Sequence, residues 1–516
     1  MNDFEPSQGV KQGSRYIYLA IVFISLWFFR LGIHGWDNGI FMDDWEIFGT
    51  HHTFDEIPHL KSIFSFSHFF RPLGSLILLN LSRLWEHFQI VHLIGSLLHG
   101  VNAILVFFIS QSLHLGFLGS YISCLFFLLF PIPSEAVYWA SCIHNLLGVT
   151  VGSAGIFLAL RYGANGLVFK LVLAAMACIA AMLYEQTALL FGVSTLICIL
   201  REIEKNRWNF RRIFLCSLPV VCLGFYFILF RMTTVGFPGD RFSPNPLNLL
   251  PSKYWWALTM YGRVSIFGTV VWKFFWNGFW CGMNSILLKK WTAILFIGNV
   301  CLATIATLSW VRMRSQTEST KYGMALGVGV MTILITLAIF SLSREYGFPF
   351  RVTYTPSPGL SLLVGFIVVE IFRLVEKRWW CRWFSPAIVF LIVFIFLAVD
   401  YSELTQYRRQ RDLDIHQAQQ LQSLIPQVNE GSFFWLLNVP WATQELNVFH
   451  AEHVLNIWVH DWGIRAILSN FYKKKVDGLP LHSGHLPLPR DFPPQRSNTY
   501  VFWFNGGSCR FMKSRL

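Results

Sequence analysis

Phe41-Met42-Asp43-Asp44-Trp45-Glu46 places three carboxylates within four positions, in a chain that has only 28 Asp and Glu among 516 residues. Adjacent carboxylates repel, an arrangement that suits a general base or a metal ligand. The plain alternative is a solvated acidic loop in which Asp44 caps a helix. The scarcity of acids elsewhere favours chemistry.

Four further stretches carry residues of the same kind. Phe69-Phe70-Arg71-Pro72-Leu73-Gly74 brings one guanidinium to the start of an apolar run, and His92, His99 and Asn102 follow at spacings of seven and three, on one helical face. Such polar groups either serve a ligand or hydrogen-bond between helices. Pro131-Ile132-Pro133-Ser134-Glu135-Ala136-Val137-Tyr138-Trp139 sets Glu135 among aromatics, and Met182-Leu183-Tyr184-Glu185-Gln186-Thr187 sets Glu185 at a junction of two apolar runs. An ionisable group in apolar surroundings is a functional candidate, although each of these two could instead pair with an arginine. Arg344 to Gly359 combines Arg344, Arg351 and Tyr354. A guanidinium fork suits phosphate, and headgroup anchoring is the competing use.

The elements that position these residues are membrane spans. Hydrophobic residues make up 54% of the chain and charged ones 13%, against about 25% charged in ordinary soluble domains. The apolar residues fall in blocks that approach the roughly 20 residues a spanning helix needs. Hydropathy and length predict about eleven spans, centred near residues 24, 100, 123, 152, 175, 194, 222, 301, 333, 367 and 393. Residues 257–290 are apolar but interrupted by Arg263, Lys273 and Asn277-Gly278, which predicts an interfacial or re-entrant segment anchored by tryptophans.

The net charge of +13 does not indicate nucleic acid, because Lys and Arg concentrate in alternate short loops, including Arg161 and Lys170, Arg201 to Arg212, and Arg312 to Lys321. The positive-inside rule places those loops and the N-terminus in the cytoplasm. The acidic pair, Arg71, Glu135, Glu185, Arg351 and everything after about residue 401 then face outward. Cysteines lie mostly inside apolar blocks and show no CxxC or zinc spacing. No convincing cleavage site follows the first apolar stretch, so it reads as an uncleaved span.

The expected organisation is a cytoplasmic N-terminus over 1–15, a transmembrane domain over 16–401 and an extracytoplasmic domain over 402–516. In the last of these, Ser402–Leu424 and His453–Tyr472 read as helices and Ser432–Val439 as a strand. Tyr500–Met512 reads as a hairpin around Asn505-Gly506-Gly507. The fold class is therefore an all-α polytopic membrane protein with a small C-terminal α+β domain.

In this order the motifs resemble the GT-C superfamily of multi-span glycosyltransferases. An acidic pair follows the first span, then come an Arg-Pro-Leu, a His-Gly-Val-Asn-Ala span and a Pro-x-x-x-Glu-Ala-Val-x-Trp loop. A Glu-Gln junction and an Arg-x-x-Tyr-x-Pro-Ser-x-Gly loop complete the set. The likeness covers roughly residues 15–400 and is nearest to the membrane domain of tetratricopeptide-repeat O-mannosyltransferases and their repeat-free bacterial relatives. Residues 402–516 carry no 34-residue repeat.

The resemblance implies an inverting hexosyl- or pentosyltransferase in a bacterial inner membrane. It would take a sugar from a polyprenyl-phosphate donor, beside membrane lipid, to an extracytoplasmic glycan, lipid or protein. On that reading Asp43 is the base and Asp44 orients it or the acceptor, Arg351 with Tyr354 binds the donor phosphate, and Arg71, Glu135 and Glu185 contact substrate. No cofactor is implied with certainty, and a divalent metal, which some members of the superfamily use, is compatible with the sequence but not demanded by it. Two other classes remain open. A transporter or flippase of lipid-linked sugars predicts repeated halves, of which the sequence has none, and a non-catalytic assembly factor predicts that Asp43 and Asp44 are dispensable.

Overall fold

The computed structural model describes residues 7–33, 44–49, 71–163, 166–205, 210–234, 251–267, 269–312, 322–342, 350–375, 381–439, 458, 461–482, 498–505 and 508–511. Asp43 and Arg344 lie outside the described residues.

The chain is an integral multi-pass helical membrane protein. All eleven expected centres fall in helices. Among the described residues, seven helices are long and apolar enough to cross a membrane, and an eighth if Phe210–Cys216 and Leu218–Ile228, bent by 55°, form one span. The centres near 24, 123 and 175 fall in shorter apolar helices, Leu19–Arg30, Gly116–Leu129 and Leu167–Leu183. The physical reason is length, since the 14 residues of Gly116–Leu129 rise roughly 21 Å, short of a hydrocarbon core of roughly 30 Å.

The elements that matter for the site are α1 (Ser7–Trp27), α2 (Pro72–Ser82), α3 (Phe88–Ser112), α4 (Ile143–Tyr162), α5 (Thr269–Leu287) and α6 (Cys381–Leu424). Proline at the first turn starts α2, where its missing N–H costs nothing. Along α4, Gly148, Gly152 and Gly155 recur on one face, where Thr187, Leu190 and Phe191 pack directly onto their backbone. Small residues at this spacing let membrane helices approach closely. Helix α5 is unbroken across Asn277-Gly278 and packs its Phe275 and Phe279 against Phe396 and Phe394 of α6. Trp272, Trp276 and Trp280 lie exposed on α5.

Helix α6 runs 44 residues without a break at residue 402. At 1.5 Å per residue it extends about 66 Å, twice the hydrocarbon thickness, so one helix serves as span and as support for the C-terminal domain. That domain continues with β1 (Phe433–Val439), α7 (Asp461–Tyr472), β2 (Asp477–His482), β3 (Thr499–Asn505) and β4 (Ser508–Phe511). Strand order is β2-β1-β3-β4, with β1 parallel to both β2 and β3. β3 and β4 form the expected hairpin, with Asn505 opposite Ser508. Phe434 and Phe502 stack on one face of the sheet, Phe434 also stacking on Tyr472 of α7. The sequence reading omits β2, because Gly478 and Pro480 are strand-weakening residues that only an edge tolerates.

Candidate active site

The five charged stretches converge. Arg71, the residue before α2, donates from Nε to Glu185 Oε2 at 2.6 Å and from Nη2 to Oε1 at 2.5 Å. Its guanidinium lies over the Tyr184 ring, 4.3 Å from the centroid, and Nη1 is 3.4 Å from His144 Nε2. Burial pushes the Tyr184 phenol up to about 12, with Arg71 and Arg351 pulling against it. It therefore stays neutral over the physiological range. Tyr184 and Glu185 stand where Leu167–Leu183 ends and Glu185–Ala188 begins, a break that turns both side chains toward the α2 start.

Glu135 and Arg351 form a second pair. Glu135, in the short helix Ser134–Tyr138, is almost fully buried. Its Oε1 accepts from Arg351 Nη1 at 3.1 Å and its Oε2 from the Arg351 backbone N–H at 3.2 Å. The Arg351 guanidinium also stacks over Trp139 at 4.8 Å. A quarter of the Arg351 side chain remains exposed, against 1% of Glu135, so the cation is the accessible partner. Arg351 also acts electrostatically on His144 and Tyr184, which places it in the neighbourhood of the Arg71 pair.

Asp44 is fully buried, and its Oδ1 accepts the Ser141 backbone N–H at 2.8 Å. Ser141 belongs to the turn Ala140–Cys142 that leads into α4, so this carboxylate caps a distant helix entrance. Trp45–Gly49 continues from it as a short helical segment.

Tyr354 is near Arg351 in sequence but turns into the interior. Its hydroxyl is 2.9 Å from His99 Nδ1 and accepts from Asn102 Nδ2 at 3.0 Å. Burial pushes this phenol above its ordinary range. His99 and Asn102 thus take the helix-to-helix role, fixing the chain just after Arg351. Gln186 helps from the other side, donating to the Val352 carbonyl at 3.2 Å.

Beneath these pairs lies a buried network that the motif reading does not include. Arg30 grips Asp400 at 2.7 Å and 3.0 Å and approaches His99 Nε2 at 3.1 Å. One turn along α6, Glu403 accepts from the Ser134 hydroxyl, adjacent to Glu135. The available signal was an ionisable residue at each end of an apolar run, Arg30 after the first and Asp400 after the last. Among the described residues, no three His, Cys, Asp or Glu side chains come together in a metal-holding group.

No family model and no curated protein sequence matches the chain. Solved structures similar to it include ArnT from Cupriavidus metallidurans bound to undecaprenyl phosphate. That match has 13% identity and a TM-score of 0.46 and covers 90% of this chain and 86% of that one. A second is the Archaeoglobus fulgidus oligosaccharyltransferase tethered to an acceptor peptide. It has 10% identity and a TM-score of 0.38, and covers 91% of this chain and 64% of that one. At these levels neither neighbour's ligand transfers to this chain.

Proposed function

We propose that the chain is a GT-C-type membrane glycosyltransferase that takes a sugar from a polyprenyl-phosphate donor and passes it to an acceptor on the non-cytoplasmic face. One observation carries the reading. Two guanidinium groups, each seated on an aromatic ring and held by a more buried carboxylate, sit near one another, drawn from four separate loops. Against a transporter stands the lack of repeated halves in the sequence. Partly accessible, pre-aimed cations serve a transferase, because a phosphate leaving group gains negative charge as the glycosidic bond breaks.

In this mechanism Arg351, oriented by Glu135 and Trp139, meets the departing phosphate oxygen. Asp43 takes the proton from the acceptor hydroxyl as that oxygen attacks the anomeric carbon from the opposite side, inverting it. Asp44, committed to the Ser141 N–H, fixes the segment that carries Asp43. Glu185 and Arg71 stand ready as hydrogen-bonding groups for sugar hydroxyls.

The test compares cell-surface glycans and lipids of a strain lacking the protein with the same strain carrying wild type, Asp43→Asn or Asp44→Asn. Asp43→Asn should insert normally and fail to restore the missing sugar. Asp44→Asn, which keeps an acceptor oxygen for Ser141, should act more mildly. Full restoration by Asp43→Asn would remove the proposed base.

A further inference from the structure

The C-terminal domain touches the segment that follows Asp44 directly. Segment Trp45–Gly49 lies between the membrane domain and α7. Trp45 is almost fully buried between Trp85, at 5.8 Å between ring centroids, and Phe471 of α7, at 6.1 Å. Phe48 is fully buried, edge-on to Phe88 at 5.3 Å. Asn470 of α7 donates to the Ala466 carbonyl at 2.8 Å and reaches the Trp45 carbonyl at 3.4 Å. Gly49 fits so closely that a Cβ there would meet Asn470 Nδ2 at 2.5 Å and Trp85 Cη2 at 2.8 Å.

Helix α7 is in turn fixed to α6. Gln422 donates to the Phe471 carbonyl at 3.1 Å, and the Tyr472 hydroxyl to the Ile425 carbonyl at 2.9 Å. A continuous path therefore leads from the spanning part of α6 through Gln422 and Phe471 to Trp45, the residue after Asp44. Asp44 is held on its other side by Ser141. The acidic segment is clamped between two bodies, one from each domain.

We propose that Asn470 and Phe471 are positioning residues for the segment from Asp44 to Gly49, so that the C-terminal domain sets the geometry of catalysis. This rests on the glycosyltransferase reading for its catalytic half and on packing alone for its structural half. Displacement of a reacting group by about 1 Å costs on the order of 100-fold in rate. Loosening the clamp should therefore lower kcat by roughly 10-fold to 100-fold with little change in KM, because donor-contacting groups are untouched.

Two variants of the full chain, in lipid nanodiscs, test it. Gly49→Ala drives a methyl into Asn470 and Trp85, while Asn470→Asp keeps the side-chain shape and removes the donor to Trp45. Hydrogen exchange at the amides of residues 45–49 is measured beside kcat and KM for transfer from a polyprenyl-phosphate sugar. The expected result in both variants is faster exchange at 45–49, unchanged exchange in α4, and a fall in kcat at near-constant KM. Unchanged exchange in both variants overturns the clamp, and faster exchange with wild-type kcat overturns its catalytic role. If wild type transfers no sugar, the glycosyltransferase reading fails by itself and the exchange measurement alone decides the clamp.

Discussion

Glu135 holds Arg351 at two points 216 residues away in sequence, one carboxylate oxygen on Nη1 at 3.1 Å and the other on the backbone N–H at 3.2 Å. The carboxylate is buried while the guanidinium keeps an exposed edge. One face of the fork is thus committed to orientation, and the guanidinium is the more accessible member of the pair.

Arg351→Lys retains the charge but loses the planar fork and the stacking on Trp139. If Arg351 binds the donor phosphate, transfer should fall about 30-fold to 1,000-fold, the equivalent of about 2–4 kcal/mol in the barrier. Anchoring at headgroup level would be met equally well by a snorkelling lysine. Near-equal rates at matched expression would therefore eliminate phosphate binding.

The Arg71–Glu185 pair is partly exposed, with side chains 18% and 14% accessible, and it joins the start of α2 to the end of Leu167–Leu183. A double-mutant cycle with Arg71→Ala and Glu185→Ala should show coupling of about 1–3 kcal/mol in unfolding free energy. Additive effects would mean that the two side chains do not stabilise one another in the fold.

Arg30 and Asp400 form a pair wholly removed from solvent. Removing one member leaves the other charge buried and uncompensated, at a cost on the order of 3–5 kcal/mol. Asp400→Leu should therefore sharply reduce thermal stability in detergent, and Arg30→Met with Asp400→Leu should recover much of it. A double variant no more stable than the single one would show that the pair is irreplaceable for another reason.

The positions of the apolar helices were legible because hydrophobic length is a local property, although fewer of them than the expected eleven are long enough to span. So were β1 and the β3–β4 hairpin, from alternation and Asn505-Gly506-Gly507. Pairings across the chain were not, since nothing near Glu185 in sequence points to Arg71, nor anything near Arg30 to Asp400. Tyr354 illustrates the limit most clearly. It lies three positions from Arg351, yet a turn through Val352 and Thr353 sends its hydroxyl to His99 and Asn102. Composition marked a boundary at residue 402, but helix geometry carries α6 straight through it and brings Glu403 to Ser134.

The last prediction concerns orientation, which follows from how charges divide between the two ends of one helix. Leu167–Leu183 carries Lys170 near its start, paired with Glu202 at 3.5 Å, and Arg212 reaches the same carboxylate at 3.8 Å. Its other end delivers Tyr184 and Glu185 to Arg71. The 17 residues rise roughly 25 Å, which separates the two clusters along the helix. In sequence the residues of the first are flanked by Arg161, Arg201, Lys205 and Arg211, the excess of positive charge that cytoplasmic loops retain. If that excess marks the cytoplasmic side, the site cluster and the C-terminal domain, joined through Trp45 and Asn470, lie outside together. Reporter fusions after Arg207 should read as cytoplasmic, and fusions at the C-terminus as extracytoplasmic. A C-terminal fusion that reports cytoplasm would put the acidic pair, Arg71 and Arg351 on the wrong side for an extracytoplasmic acceptor.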